Sequence, residues 1–176
     1  MVHVTYYVAV SVDGYIATAD GGTDWLKPFE SSGEDYGYHD FYSSIDAAVM
    51  GSHTYEQCLK FPEWPYPGKL CWVFSRRKFA NRSDVTVTSE TPVAVLRQLQ
   101  ARGLMRVWLA GGGDLAASMR KSNLIDEYIF TVVPVILGGG IGLFAYTSPT
   151  ENVRLLECKT HPNGVLQLHY RGRDAR

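Results

Sequence analysis

The segment from residue 106 to 144, RVWLAGGGDLAASMRKSNLIDEYIFTVVPVILGGGIGLF, constrains the fold more than any other. Residues 107–110 are a short apolar run of strand character, and Gly111-Gly112-Gly113 interrupts it. Asp114 stands where a helix cap is expected, the helical pattern runs to Ser122, and residues 127–137 form a second β-prone run. The order is strand, helix, strand, with a triple glycine where the first strand becomes the helix. Glycines at such a turn let the backbone approach a ligand closely, and the helix start then offers unpaired N–H groups to an anion such as a pyrophosphate. Gly111-x-Gly113-x-x-Ala116 matches the loose dinucleotide fingerprint. Yet the motif lies two-thirds along the chain, and no acidic residue closes the following strand where a ribose would bind. A tight turn that merely lets helix and sheet pack accounts for the glycines equally well.

The rest of the chain alternates in the same way. Residues 2–10 are apolar and β-branched, as a buried central strand requires. Asp13-Gly14 marks a turn, and the polar stretch 18–24 reads as a mobile loop. Residues 36–45 are helical in pattern, and 47–50 are a short buried strand ending at Gly51. Ser52 is placed to cap a helix over 53–60, with Glu56 close to the capping-box position. Pro62, Pro65, Pro67 and Gly68 force a loop before strands at 70–74 and 85–87. Thr91 and Pro92 open a helix whose Val93, Leu96 and Leu99 face inward, and Gly103 closes it. Runs at 153–160 and 165–170 are joined by Pro162-Asn163-Gly164, and Asn-Gly is a strong hairpin signal. One α/β domain over residues 1–176 is expected, with a mostly parallel sheet and an antiparallel C-terminal edge.

A chain of 176 residues buries a core without staples, and its net charge of −1, with mixed signs, points away from nucleic acid or an acidic membrane as partner. No apolar run is long enough to span a bilayer, and the opening MVHVTYYVAVS lacks the charged start and cleavage site of a leader. Cys58, Cys71 and Cys158 are odd in number and widely spaced, which suits buried free thiols in a reducing cytoplasm. The five histidines show no metal-ligand spacing, so no metal is expected.

With the elements placed, the chain resembles the dihydrofolate-reductase-like superfamily, and within it the reductase domain of the riboflavin-biosynthesis deaminase-reductase. Ser11-Val12-Asp13-Gly14-Tyr15-Ile16-Ala17 is similar to the family's S-x-D-G-x-x-A. Val49-Met50-Gly51-Ser52-His53-Thr54-Tyr55-Glu56 resembles V-M-G-R-x-T-[YW]-E. The Gly111 turn, Leu124-Ile125-Asp126-Glu127 and Pro134-Val135-Ile136-Leu137-Gly138 resemble G-G-x-L…L-[IV]-D-E…P-x-x-L-G. These motifs occur in the right order over nearly the whole chain.

The resemblance implies a three-layer α/β/α fold and a hydride transfer from NADPH to a small heterocycle, as in 5-amino-6-(5-phosphoribosylamino)uracil reductase or dihydrofolate reductase. The cofactor's phosphates would lie at the turns Gly51-Ser52-His53-Thr54 and Ala110-Gly111-Gly112-Gly113-Asp114-Leu115, with Ala9 and Ile16 beside the nicotinamide. Ser52 replaces the arginine that relatives often offer to the 2′-phosphate, and Ser75-Arg76-Arg77 is the nearest substitute, Arg76 above all. The loop from 16 to 25 would close over the site, bringing Trp25. By the same resemblance, the carboxylate that organises protonation falls sixteen residues before Gly51, on Asp35, and Thr131 is its matching hydroxyl. Read without the resemblance, Asp35 is simply an acid at a helix start. Residues 61–67, FPEWPYP, are apolar and acidic, so neither a folate tail nor a ribose phosphate finds a cation there. A homodimer paired through the C-terminal edge is expected, and a non-catalytic NADP(H)-binding or scaffold protein of the same fold is the alternative. The cluster Gly138-Gly139-Gly140-x-Gly142 is either a second backbone approach to substrate or a flexible connection.

Overall fold

A computed structural model describes residues 1–144 and 150–172. Its strands are β1 (His3–Ser11), β2 (Tyr15–Ala17), β3 (Ala47–Gly51), β4 (Leu70–Phe74), β5 (Val85–Thr88), β6 (Arg106–Gly111), β7 (Glu127–Val133), β8 (Ile141–Gly142), β9 (Arg154–Thr160) and β10 (Leu166–Arg171). The helices are α1 (Lys27–Glu30), α2 (Tyr38–Ser44), α3 (Ser52–Cys58), α4 (Pro92–Ala101) and α5 (Gly113–Lys121). Eight strands form one sheet in the order β5-β4-β3-β6-β1-β7-β10-β9, and β2 pairs with β8 apart from it. From β5 to β7 every neighbour is parallel, and β10 and β9 add an antiparallel edge. The expected α/β class and the C-terminal hairpin are therefore present.

The apolar run of the first strand has its reason here. β1 lies between β6 and β7, and it is buried on both faces, with Val4 and Tyr6 on one and Tyr7 on the other. On the Tyr6 side, Val95, Leu96 and Leu99 of α4 and Leu115, Ala116 and Met119 of α5 pack against Val49, Trp72 and Leu109. On the Tyr7 side, Phe41 and Tyr42 of α2 and Tyr55 and Cys58 of α3 pack against Ala48, Met50 and Trp108. Two helical layers thus enclose one sheet.

Local chemistry explains several boundaries. Thr91 caps α4 as expected, its hydroxyl accepting from the Ala94 N–H at 3.3 Å. Val95, not Val93, completes that helix's buried stripe, and Val93 stays 36% exposed. At 100° per residue Val93 falls about 110° from the centre of the 95/96/99 stripe. β7 stops at Val133 instead of reaching Leu137, because Pro134 has no N–H for the ladder. The hairpin turn places Gly164 at φ +84°, and the His161 N–H donates to the Val165 carbonyl at 2.9 Å. Cys58 and Cys71 are buried free thiols, but Cys158 is exposed, since β9 is an edge strand exposed along its whole length. Among the described residues no His/Cys/Asp/Glu group is arranged to hold a metal, and no helix is long and apolar enough to cross a membrane.

One ionic cluster ties the sheet together away from the helix-bearing strand ends. Glu127 Oε2 lies 2.9 Å from His169 Nε2 and 3.7 Å from His3 Nε2, while Oε1 is 3.6 Å from Arg171. The imidazoles of His3, and then of His169, hold the Glu127 carboxyl down at about 2, and the contact with Glu127 raises His3. The carboxylate's contribution is complete above the ordinary glutamate range and is lost as pH falls towards 2; the histidine's is complete below about 6.5 and fades as pH rises through its raised value. Glu127→Gln is therefore expected to cost on the order of 1–2 kcal/mol near pH 5.5 and clearly less near pH 8.5. Thermal denaturation of both proteins across that range measures it, and a difference independent of pH would contradict it.

Candidate functional site

β3 and β6 are neighbours, yet the chain leaves their carboxyl ends in opposite directions, through α3 to one face and α5 to the other. That divergence opens a crevice at a topological switch point, where open α/β sheets bind ligands. A cleft of about 710 Å³ occupies it and continues over Val8 and Ala9 of β1 to Ile16, Ala17, Ile141 and Gly142. The structure brings Ala9, Ile16, Gly51, Ser52, His53, Thr54, Ala110, Gly111, Gly112, Gly113, Asp114 and Leu115 to its walls.

Both helices enter the cleft without a side-chain cap, contrary to two expectations. Ser52 is the first residue of α3, and the extended Gly51 (φ −78°, ψ 163°) precedes it. β3 runs through Gly51 and the chain turns helical at once, leaving Ser52 no capping position. Asp114 is likewise the second residue of α5, and Gly112 (φ 62°, ψ 136°) stands at the cap. Gly111 and Gly112 both have positive φ, +144° and +62°, a region that disfavours L side chains, so the chain can turn a residue earlier than a capping aspartate would allow. Among the described residues no side chain accepts from the early N–H groups of α5, where Gly113, Asp114 and Leu115 stand at the cleft wall.

Ser75, Arg76 and Arg77 lie beyond the end of β4 and line a shallower depression that shares Ser52, Phe74 and Asp114 with the cleft. Arg77 is held by Glu56 at 2.7 Å and lies over the Phe79 ring at 5.5 Å. Arg76 makes no ion pair among the described residues.

The Ser11-x-Asp13-Gly14 motif is a clasp. Ser11 Oγ donates to Asp13 Oδ1 at 2.7 Å, and the carboxylate accepts the N–H groups of Leu137 and Gly138 at 3.0 and 2.7 Å. The Ser11 hydroxyl's bond, and then these N–H groups, hold the Asp13 carboxyl below its usual range. The clasp fastens the segment after β7 beside the end of β1, and so sets β2 and β8 along the cleft. Within the second glycine cluster, a Cβ at Gly140 would lie 2.2 Å from the Ala17 carbonyl oxygen. It is a close approach between two backbones.

Three side chains expected to act on substrate are placed differently. Asp35 is exposed on the turn before α2, its carboxylate accepting from the N–H groups of Gly37 and His39 at 2.9 and 3.2 Å. These bonds hold it below the usual carboxylate range, and it does not line the cleft. Its charge does reach the Tyr7 phenol, which burial, chiefly, pushes up. Thr131 is buried on β7 beside Ala9, where its hydroxyl acts on the Tyr7 phenol. Trp25 is half-buried in a 3-10 turn, and its neighbours Thr23 and Leu26, rather than its own ring, line the cleft. Sequence reading missed Gln57, Phe74, Ser118 and Phe144 of the lining. Only the crossing of separate elements puts them there; Gly21, for example, packs so closely on Gln57 that a Cβ would sit 2.7 Å from its Nε2.

Comparison with known proteins agrees with this architecture. The family described as "RibD C-terminal domain" matches residues 69–167. The uncharacterized protein YwjB of Bacillus subtilis is 40% identical over 166 residues, covering 93% of this chain and 94% of its own. The riboflavin biosynthesis protein RibD of Corynebacterium ammoniagenes is 27% identical over 161 residues, 82% of this chain but 46% of the longer RibD. A crystal structure of a putative riboflavin biosynthesis protein from Shewanella sp. PV-4 superposes with a TM-score of 0.86 at 27% identity, covering 98% of this chain and 99% of that one. The chain belongs to the RibD C-terminal domain family and has its dihydrofolate-reductase-like α/β fold.

Proposed function

We propose that the chain is an NADPH-dependent reductase, a single domain over residues 1–176, that transfers hydride to a C=N or C=O bond of a small planar heterocycle. The observation that carries the reading is the uncapped start of α5, whose positive-φ glycines open on a cleft long enough to run from Asp114 to Ala9 and Ile16. Such a start suits a pyrophosphate. The residues present fit the dinucleotide: Gly51 to Thr54 form the facing wall, apolar Val8, Ala9 and Ile16 suit a nicotinamide ring, and Arg76 stands where a 2′-phosphate would end. The cofactor supplies the hydride, and the chain's part is to orient it and exclude water. Among the described residues no Lys or Arg lines the cleft itself, which favours a substrate without a phosphate there. Thr131 and Trp25 are assigned to the substrate side, with Asp35 at its rim.

Titration with NADPH and with NADH, followed by melting temperature, tests the reading. NADPH is expected to stabilise the protein, and Arg76→Ala to weaken NADPH about tenfold while leaving NADH unchanged, as loss of one arginine–phosphate contact implies. Binding of neither cofactor at millimolar concentration would refute it. The engagement of Asp35 with backbone N–H groups favours one second reading, a member that holds the cofactor without turning over; it predicts the same stabilisation with no reduction of pterins or pyrimidines.

The protein is further assigned as a cytoplasmic homodimer. Leu155 and Leu156 of the edge strand β9 are 51% and 38% exposed, and a second copy would cover them.

A further inference from the structure

Apart from His53, Asp114 carries the only ionisable side chain on the cleft wall among the described residues. An acid is an unexpected lining for a cleft read as taking a pyrophosphate, and local structure does not account for it. Gly112, not Asp114, stands at the cap of α5. The Asp114 carboxylate is exposed and makes no hydrogen bond or ion pair among the described residues. The helix dipole favours an acid anywhere in the first turn, and so does not fix it at the one place where two hollows meet.

That place is the junction of the cleft with the depression beyond β4: Asp114, Ser52 and Phe74 line both. The cationic side of the depression is weak. Arg77 is paired with Glu56 at 2.7 Å, which leaves Arg76 to share the depression with the carboxylates of Glu90 and Asp114. Glu90 is itself held, its Oε2 accepting from Gln98 Nε2 at 2.8 Å, whereas Asp114 is not. A doubly charged phosphate placed there gains from Arg76 and loses to the acids. A neutral hydroxyl meets no such repulsion, and an ionised carboxylate is a strong acceptor for it.

We propose that Asp114 makes the chain bind NADH as well as NADPH. A pyrophosphate at the start of α5 and a 2′-position directed to Arg76 leave the adenosine ribose between them, beside Asp114. The carboxylate there accepts the 2′-hydroxyl of NADH and opposes the 2′-phosphate of NADPH, which Arg76 draws in. An acid on the ribose 2′-hydroxyl selects NADH in other dinucleotide-binding folds, where it comes from beyond the following strand. Here the helix start itself supplies it. The inference rests on the cofactor reading proposed above and adds what chooses between the two forms of that cofactor.

Calorimetric titration of the full chain with NADH and with NADPH tests it. The unaltered protein is expected to bind the two within about tenfold of each other. Asp114→Ala should weaken NADH about tenfold, as loss of one charge-assisted hydrogen bond implies, and should tighten NADPH several-fold. Asp114→Asn keeps an oxygen that accepts the hydroxyl and removes only the charge. It should therefore cost NADH less than about threefold, with the same gain for NADPH. The NADPH gain should fade at high salt, while the NADH loss persists. An acid that merely stabilises the helix start would move both nucleotides in one direction, and melting temperatures without nucleotide report that effect separately. Equal shifts, unchanged affinities, or an NADPH preference of about a hundredfold or more in the unaltered protein overturn the inference while the cofactor reading stands. Binding of neither nucleotide refutes both.

Discussion

Gly112→Val is expected to abolish stabilisation by NADPH while leaving the fold in place. At φ 62° and ψ 136°, Gly112 holds a conformation that a β-branched residue reaches only with strain, on the order of 1–3 kcal/mol. The space for a side chain is there, since a Cβ would meet the Thr54 hydroxyl at an ordinary 3.7 Å. The backbone would therefore relax rather than the core open, and the first N–H groups of α5 would turn away from the cleft. An affinity loss of about a hundredfold or more is expected, equivalent to about 2.7 kcal/mol. Calorimetric titration with NADPH measures it, with the far-ultraviolet dichroism unchanged. Unaltered affinity would return the triple glycine to the packing role that its sequence equally allows.

Gly140→Ala is expected to be the more damaging to stability. Its Cβ would lie 2.2 Å from the carbonyl oxygen of Ala17 and 3.2 Å from the carbonyl carbon, and φ is +148°. Backbone atoms cannot turn aside as a flexible side chain can, so β2 and β8 must separate or the segment after β7 must shift against the Asp13 clasp. A cost of about 2–4 kcal/mol follows, which for a chain of this size lowers the melting temperature by roughly 5–15 °C. Gly139→Ala is the control: nothing lies within 4 Å of its Cβ and its φ is not in the left-handed region. It should be close to neutral. Equal melting temperatures for the two variants would mean that the close approach carries no weight.

Helices, strands and the fold class were legible because each rests on local rules. The long apolar run of β1, the Thr91 cap and the Asn163-Gly164 turn act through neighbours a few residues away. The errors have equally local causes. Ser52 and Asp114 have the right chemistry for caps, but strand β3 in one case and positive-φ glycines in the other start the helix a residue sooner. Val93 is as apolar as Val95, and only the phase of the helix against the sheet decides which is buried.

By itself, then, the sequence determined the alternation of strand and helix, the parallel sheet with its antiparallel edge, and the glycine turns at the ends of β3 and β6. Periodicity, proline and glycine geometry act within a few residues and leave their mark on composition. Only the tertiary structure decided that the two turns face one cleft, because that depends on α3 and α5 taking opposite faces of the sheet. It alone showed Asp13 gripping the backbone 124 and 125 residues away, and the Tyr36 carbonyl resting on Tyr7 and Gln167. Contacts between distant segments are set by packing and by the need to satisfy buried polar groups, and neither quantity can be counted along a chain.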